Sequence, residues 1–205
     1  MRVSSGLKLS GDLPIIDGAA ALYPVFSAFI AASYPKDSVE FDGQNFTDAS
    51  RLKFSNTRGA YKAISDGEAD LIFVAAPSKQ QLDYAQEKGA NLRFVPIGLE
   101  AFVFIVNANN KVSNLTVDQV RGIYSGQYSD WSQLGGERMR IDAVQRNAGS
   151  GSQSAFLKFM GETQPKRKIT GFFGSAIGFS FRYYVEGIVQ NGGVKMLSLN
   201  LRGLR

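Results

Sequence analysis

The 205-residue chain contains no cysteine and no histidine. Without cysteine there is no disulfide, no thiolate nucleophile and no thiolate metal site, and an oxidising compartment is as compatible as a reducing one. Without histidine, Ser-His-Asp catalysis, Cys-His catalysis and nearly all catalytic zinc sites drop out, and most hydrolase chemistry goes with them. No motif calls for a cofactor. No apolar stretch approaches the ~18 residues that mark a direct membrane span, and Met1–Ser10 carries no apolar segment of the export-signal type. Dense basic stripes are also missing. The net charge of +5 is spread along the chain, so nucleic acid is not an expected partner, and the excess points mildly to an anionic small ligand or a membrane surface.

What remains is ordinary globular composition, 44% hydrophobic and 20% charged, enough for one large domain or two lobes of about 100 residues each. Strand and helix patterns alternate. Leu13–Ile16 reads as a strand running into an Asp17-Gly18 turn, and the corner Gly18–Ala21 then enters a helix. That helix carries Leu22, Val25, Phe26, Phe29 and Ile30 on one face and is closed by Pro35. Ser55–Gly59 opens a second helix that Gly67 ends. Leu71–Ala76, apolar without alternation, reads as a parallel strand covered on both faces, and a helix follows over Gln80–Lys88. Arg93–Pro96 and Glu100–Val106 read as two strands with Gly98 at the bend. Thr116 to Gln119 is a capping box opening a helix with Val117, Val120, Ile123 and Tyr124 inward and Gly126 as its stop. Trp131 and Leu134 tuck a loop against the core. Pro165–Lys168 reads as a solvated basic loop, Ala176–Phe181 as a strand, Tyr183–Val189 as a helix and Val194–Leu199 as a final strand. The alternation predicts an α/β fold with mainly parallel sheets.

The stretch from Arg146 to Gln153 concentrates polar chemistry. A short apolar run, Ile141–Val144, leads into it, and a helix with Ala155, Phe156, Phe159 and Met160 on one face leaves it. Ser150 and Gln153 stand at capping-box spacing, which puts a helix N-terminus inside Ser150-Gly151-Ser152. Free amides, the positive end of the helix dipole, two hydroxyls and the Arg146 guanidinium would converge there, a physical description of an anion cradle. The competing reading is an ordinary Gly-Ser turn beside a solvated arginine. The run is not a P-loop, for no Gly-Lys-Ser/Thr closes it, and it lacks the glycines of a Rossmann fingerprint.

Several segments, in one order, resemble the phosphate-binding, PstS-like solute-binding proteins of ABC transporters. Leu115-Thr116 through Trp131-Ser132-Gln133-Leu134-Gly135-Gly136 is similar to that family's Leu-Thr, Ser-Gly, Trp and Leu-Gly-Gly block. Arg146 to Ser152 is similar to its Arg-x-x-Gly-Ser-Gly-Thr loop, and Ala176–Phe179 to its Ala-Ile-Gly-Tyr strand. The resemblance implies a two-lobed, type II periplasmic-binding-protein-like fold that closes on an oxyanion, most readily inorganic phosphate, in an inter-lobe cleft. Lobe one would span 1–97 and lobe two 98–193, with 194–205 a return strand towards lobe one. It implies a periplasmic or cell-surface setting, a membrane permease as partner, and no catalytic residue. Arg146 would pair with the anion, Ser150, Gly151 and Ser152 would donate hydroxyl and amide bonds, Thr57 would supply a further hydroxyl, and Ala20 and Ala21 would offer amides.

The chain departs from the family pattern where Ala19-Ala20-Ala21 replaces a hydroxyl-bearing first loop. It departs again where Val74-Ala75-Ala76 carries no aspartate to accept the proton of hydrogen phosphate, and at Ala148, where an acid often follows the arginine. Each lost bond to a charged ligand corresponds to about 1.5–3 kcal/mol. Family members also continue past the return strand, which predicts a truncated or rearranged copy, or a fragment, whose lobe one leaves apolar surface open. An alternative role keeps the fold as a ligand-sensing or surface-interaction module. An enzyme would have to use Asp17, Asp70 or Asp118, and each has a structural explanation in a turn, a strand start or a helix first turn. Arg182 is expected to pair at the surface, and Tyr23 and Pro24 to pack.

Overall fold

The computed structural model describes residues 5–166, 174–189 and 192–200. Contacts divide it into two compact units, the first running up to Ile97 and taking in Gly149–Gly151, the second holding Gly98–Ala148 and the residues from Ser152 onward.

The first unit is built on a short parallel pair, β1 (Ile16–Gly18) and β2 (Leu71–Phe73). The first strand therefore lies later than Leu13–Ile16, and Asp17-Gly18 belongs to it rather than to a turn. Ile16 is the residue that pairs, with Leu71 on one side and Leu52 on the other. Helix α1 (Tyr23–Ser33) starts with Pro24 in its first turn, where the missing N–H costs nothing. It sends Phe26 and Ile30 into a core with Ile16, Leu13, Tyr34 and Leu52. Val25, expected on that face, is exposed instead. Tyr23 packs edge-on against Phe26 and Phe54.

Helix α2 (Asn56–Asp66) ends at Gly67 in the left-handed region, φ +76°, a conformation glycine adopts without a Cβ clash. Helix α3 (Lys79–Glu87) opens with a complete Ser78–Gln81 capping box. The run 71–76 is a strand only to Phe73, and Leu71 is 44% exposed. Two-sided burial is not met, for residues 72–75 are half-buried and Ala76 is exposed. Arg93–Pro96 is likewise not a strand: residues 91–100 follow an irregular path, with Phe94, Val95, Ile97 and Leu99 facing solvent.

The second unit holds a four-stranded sheet in the order β5 (Asp142–Ala143), β6 (Ala176–Phe181), β3 (Phe102–Asn107), β7 (Val194–Met196). A parallel pair, β4 (Asn114–Thr116) with β8 (Ser198–Asn200), accompanies it. β3 runs antiparallel to both neighbours, in register Phe104 opposite Phe179 and Ile105 opposite Met196. The other three strand-to-strand ladders among the described residues are parallel, so the α/β fold with mainly parallel sheets stands. The single strand expected over Val194–Leu199 is two, broken at buried Leu197, whose N–H donates to the Phe104 carbonyl (2.9 Å).

Helix α4 (Val117–Ser125) has the expected Thr116–Gln119 capping box, its four apolar residues inward and Gly126 at φ +80° as its stop. Helix α5 (Gly151–Met160) buries Phe156 and Met160. Phe156 stacks on Phe179 with ring centroids 4.4 Å apart and planes 3° from parallel. Trp131 is fully buried and donates its indole N–H to the Ser175 carbonyl (2.9 Å). A π-helical turn covers Tyr184–Val189, and Arg182 pairs at the surface with Glu186. Of the basic run, Arg167 and Lys168 lie outside the described residues, and the Lys166 N–H donates to the Tyr124 carbonyl (2.8 Å).

Candidate functional site

On the first unit three segments meet at Asp17. A Cβ on Gly18 would stand 2.5 Å from Phe26 Cε1 and 2.7 Å from the Phe73 carbonyl oxygen, so no larger residue can make the passage out of β1. Ala19 donates its N–H to Phe73 O (2.9 Å), and one 3-10 turn over Ala20–Leu22 leads into α1. Ala20 and Ala21 present only backbone there, and their N–H groups find no acceptor among the described residues.

Asp17 is 2% exposed. Its Oδ1 accepts from the N–H groups of Gly18 (2.7 Å) and Ser55 (2.9 Å), and its Oδ2 from the Ser55 hydroxyl. Ser55 stands at the N-cap of α2, yet it gives its hydroxyl to Asp17 and makes no side-chain cap bond. Gly59 permits this, because a Cβ there would lie 2.6 Å from Ser55 Cβ. The amides of the first turn of α2 are therefore left without a capping acceptor, and no acidic residue occupies that turn. Asn56 opens it at φ +61°, a strained start of the kind found at working sites.

Thr57 follows, 6% exposed, its hydroxyl in no hydrogen bond among the described residues. It faces Gly151: a Cβ on that glycine would be 3.1 Å from Thr57 Oγ1 and 3.1 Å from Ala75 Cβ. The turn before Gly151 is fixed by Gly149 at φ +80°, whose carbonyl accepts from Gln81 Nε2 (3.2 Å). Ala75 is held by Tyr61, whose hydroxyl donates to its carbonyl (2.8 Å) and whose pKa burial pushes up to about 12. Val74, Ala75 and Ala76 bring no carboxylate to this place.

In the second unit the backbone ahead of α5 is clamped by glutamines. Gln153 Oε1 accepts the Arg146 N–H (2.9 Å), Gln153 Nε2 donates to Gln145 Oε1 (3.2 Å), and Gln145 Nε2 donates to the Lys166 carbonyl (2.9 Å). Arg146 is exposed and belongs to none of the ion pairs found among the described residues. Ser150 and Ser152 are half-buried at the start of the helix.

Thr57 and Gly151 are thus brought into contact, Ser150 is the chain neighbour of Gly151, and Ala20 and Ala21 are tied to the start of α2 through Asp17. Arg146 and Ser152 lie on the second unit. Sequence reasoning missed Arg58 and the Asp17–Ser55–Gly59 clamp. The signal for Arg58 was present, since a cation in a helix's first turn opposes the dipole. Asp70 Oδ2 accepts the Ile15 N–H (2.8 Å) and Asp118 sits in the first turn of α4, so all three aspartates weighed for catalysis have structural roles. No group of three or more metal-ligating side chains, and no helix long and apolar enough to cross a membrane, occurs among the described residues.

The chain belongs to the PBP superfamily, whose domain profile matches residues 15–195. It is similar to the phosphate-binding protein PstS of Bacillus subtilis, 26% identical over 164 residues covering 80% of this chain and 51% of that protein. It is also similar to PstS of Borreliella burgdorferi, 28% identical over 107 residues covering 49% and 38%. The chain spans about half the length, or less, of these curated relatives. Among solved structures its fold matches a phosphate ABC transporter substrate-binding protein with bound phosphate from Clostridium perfringens (TM-score 0.62, 21% identity, 90% of this chain and 74% of that one). It also matches the CcmR regulatory domain of Synechocystis in complex with 2-PG (TM-score 0.55, 12% identity, 93% and 88%).

Proposed function

We propose that this chain is a solute-binding protein that captures an inorganic oxyanion, phosphate first among them, for an ABC-transporter permease outside the cytoplasm. Residues 1–97 are lobe one and 98–193 lobe two in this reading. Thr57, Ser150, Gly151 and Ser152 donate hydroxyl and amide bonds, Ala20 and Ala21 add amides, and Arg146 supplies the counter-charge. The observation that carries the reading is the hydroxyl of Thr57, a residue 6% exposed, without a partner among the described residues and facing Gly151 beside an uncapped helix start. Donors left open in this way suit an anion, which satisfies several at once at little reorganisation cost.

A second reading, a ligand-sensing module, draws on the alanine corner at 19–21, which offers the anion no hydroxyl. Calorimetric titration with phosphate, sulfate and other oxyanions, beside Arg146→Ala, tests the first reading. A phosphate response lost in the variant supports it. Silence towards every anion overturns it in favour of sensing.

A further inference from the structure

Arg58 stands in the first turn of α2, next to Thr57. The point a Cβ would occupy on Gly149 lies 3.4–3.6 Å from its Cγ, Cδ and Cβ, so its aliphatic stem runs along the turn that leads to Gly151. The side chain is exposed and enters no ion pair or hydrogen bond among the described residues. Its position is unfavourable for the helix: a guanidinium at the positive end of the dipole, with no acid in the turn to offset it. A local rule broken without visible compensation marks a place where function outweighs stability.

The surroundings sharpen this. Thr57, buried and without a partner among the described residues, faces the same turn, and the first-turn amides lack a cap. Ala75 lies on the same turn, its Cβ 3.1 Å from the point a Cβ on Gly151 would occupy, and neither it nor Val74 and Ala76 carries a carboxylate. The one acid bound to this helix start, Asp17, has its oxygens taken by Gly18 and Ser55.

We infer that Arg58 is a ligand-binding residue of the oxyanion site on the first unit, and that this site, with no carboxylate at 74–76, takes tetrahedral oxyanions as a class, sulfate as well as hydrogen phosphate. The inference rests on the oxyanion-binding reading above. A guanidinium presents two parallel N–H groups to two oxygens of such an ion, and sulfate, which has no proton to donate, loses nothing where no carboxylate stands ready to accept one.

The test is calorimetric titration of the full chain with sodium phosphate and with sodium sulfate, comparing wild type with Arg58→Ala and Arg58→Lys. Arg58→Ala should weaken both anions by about tenfold or more. Arg58→Lys should recover part of the loss, because it keeps the charge without the fork. Wild type should bind sulfate within about tenfold of phosphate, since a missing acceptor removes the basis for rejecting it. Unchanged Kd values in Arg58→Ala, with its melting temperature intact, overturn the role of Arg58 and leave the oxyanion reading standing. A wild type that binds phosphate and ignores sulfate overturns the class assignment. A wild type that binds neither anion removes the inference together with the reading beneath it. Should Arg58→Ala fold poorly, Arg58→Gln, which keeps the stem and its packing on Gly149, carries the comparison.

Discussion

At the scale of single residues the proposed cradle depends on what is absent from Gly151. A methyl there would sit 3.1 Å from the Thr57 hydroxyl, close enough to cover it, and 3.1 Å from the Ala75 methyl, which would have to give way. Gly151→Ala is therefore expected to lower the melting temperature modestly, through the crowding on Ala75, and to weaken phosphate binding by about tenfold, the loss of one charge-assisted bond. Titration calorimetry beside thermal denaturation separates the two effects. Gly18 plays a different part. Its missing Cβ avoids Phe26 and the Phe73 carbonyl, so Gly18→Ala overpacks the first core and should destabilise by about 1–3 kcal/mol in urea unfolding. Asp17→Asn should cost a similar amount, about 1–3 kcal/mol, because an amide cannot accept from all the donors of Gly18 and Ser55 and leaves one of them buried and unmet.

Elements differ in how openly they were written in the sequence. Helix ends were legible, because caps and stops are local chemistry. The Thr116–Gln119 box, the left-handed glycines 67 and 126, and Pro24 in the first turn of α1 all act within a few residues of themselves. The strands of the first unit were not, because a strand exists only where a partner pairs with it. Leu71–Ala76 shortens to three residues, Arg93–Pro96 forms none, and β1 shifts so that Ile16 can pair with both Leu71 and Leu52. The Arg146–Gln153 stretch was legible as a polar helix start, but Arg58 was not singled out, since nothing local ties it to Gly149.

Helices α2 and α3 are joined by Asp66. Lys62, Tyr84 and Lys88 all reach its carboxylate, and hydrogen bonds from Lys62, then Tyr84, hold its pKa down to about 2. A depressed carboxylate stabilises the fold at pH above the ordinary carboxylate range and loses that contribution as pH falls towards 2. Asp66→Asn should therefore lower stability near neutral pH and converge with wild type near pH 2. Denaturant titrations across that window check it, and a gap independent of pH would contradict it.

For the whole molecule, the segment 91–100 is the departure with the broadest consequence. Val95, Ile97 and Leu99 face solvent close together in the chain, more apolar surface than a loop needs. Ile97→Lys is expected to keep stability within about 0.5 kcal/mol, as exposed positions do, while reducing light scattering at high protein concentration. A large fall in melting temperature would show that the side chain is packed. The account as a whole stands on amides at the start of α5 receiving a negative ion beside Thr57. Nitrogen-15 NMR during a phosphate titration reads those amides directly. The Gly151 and Ser152 resonances should move downfield and saturate together, and Thr57→Ala should weaken the response. Amides at 150–152 that stay fixed while phosphate shifts another region, or none, would contradict the claim.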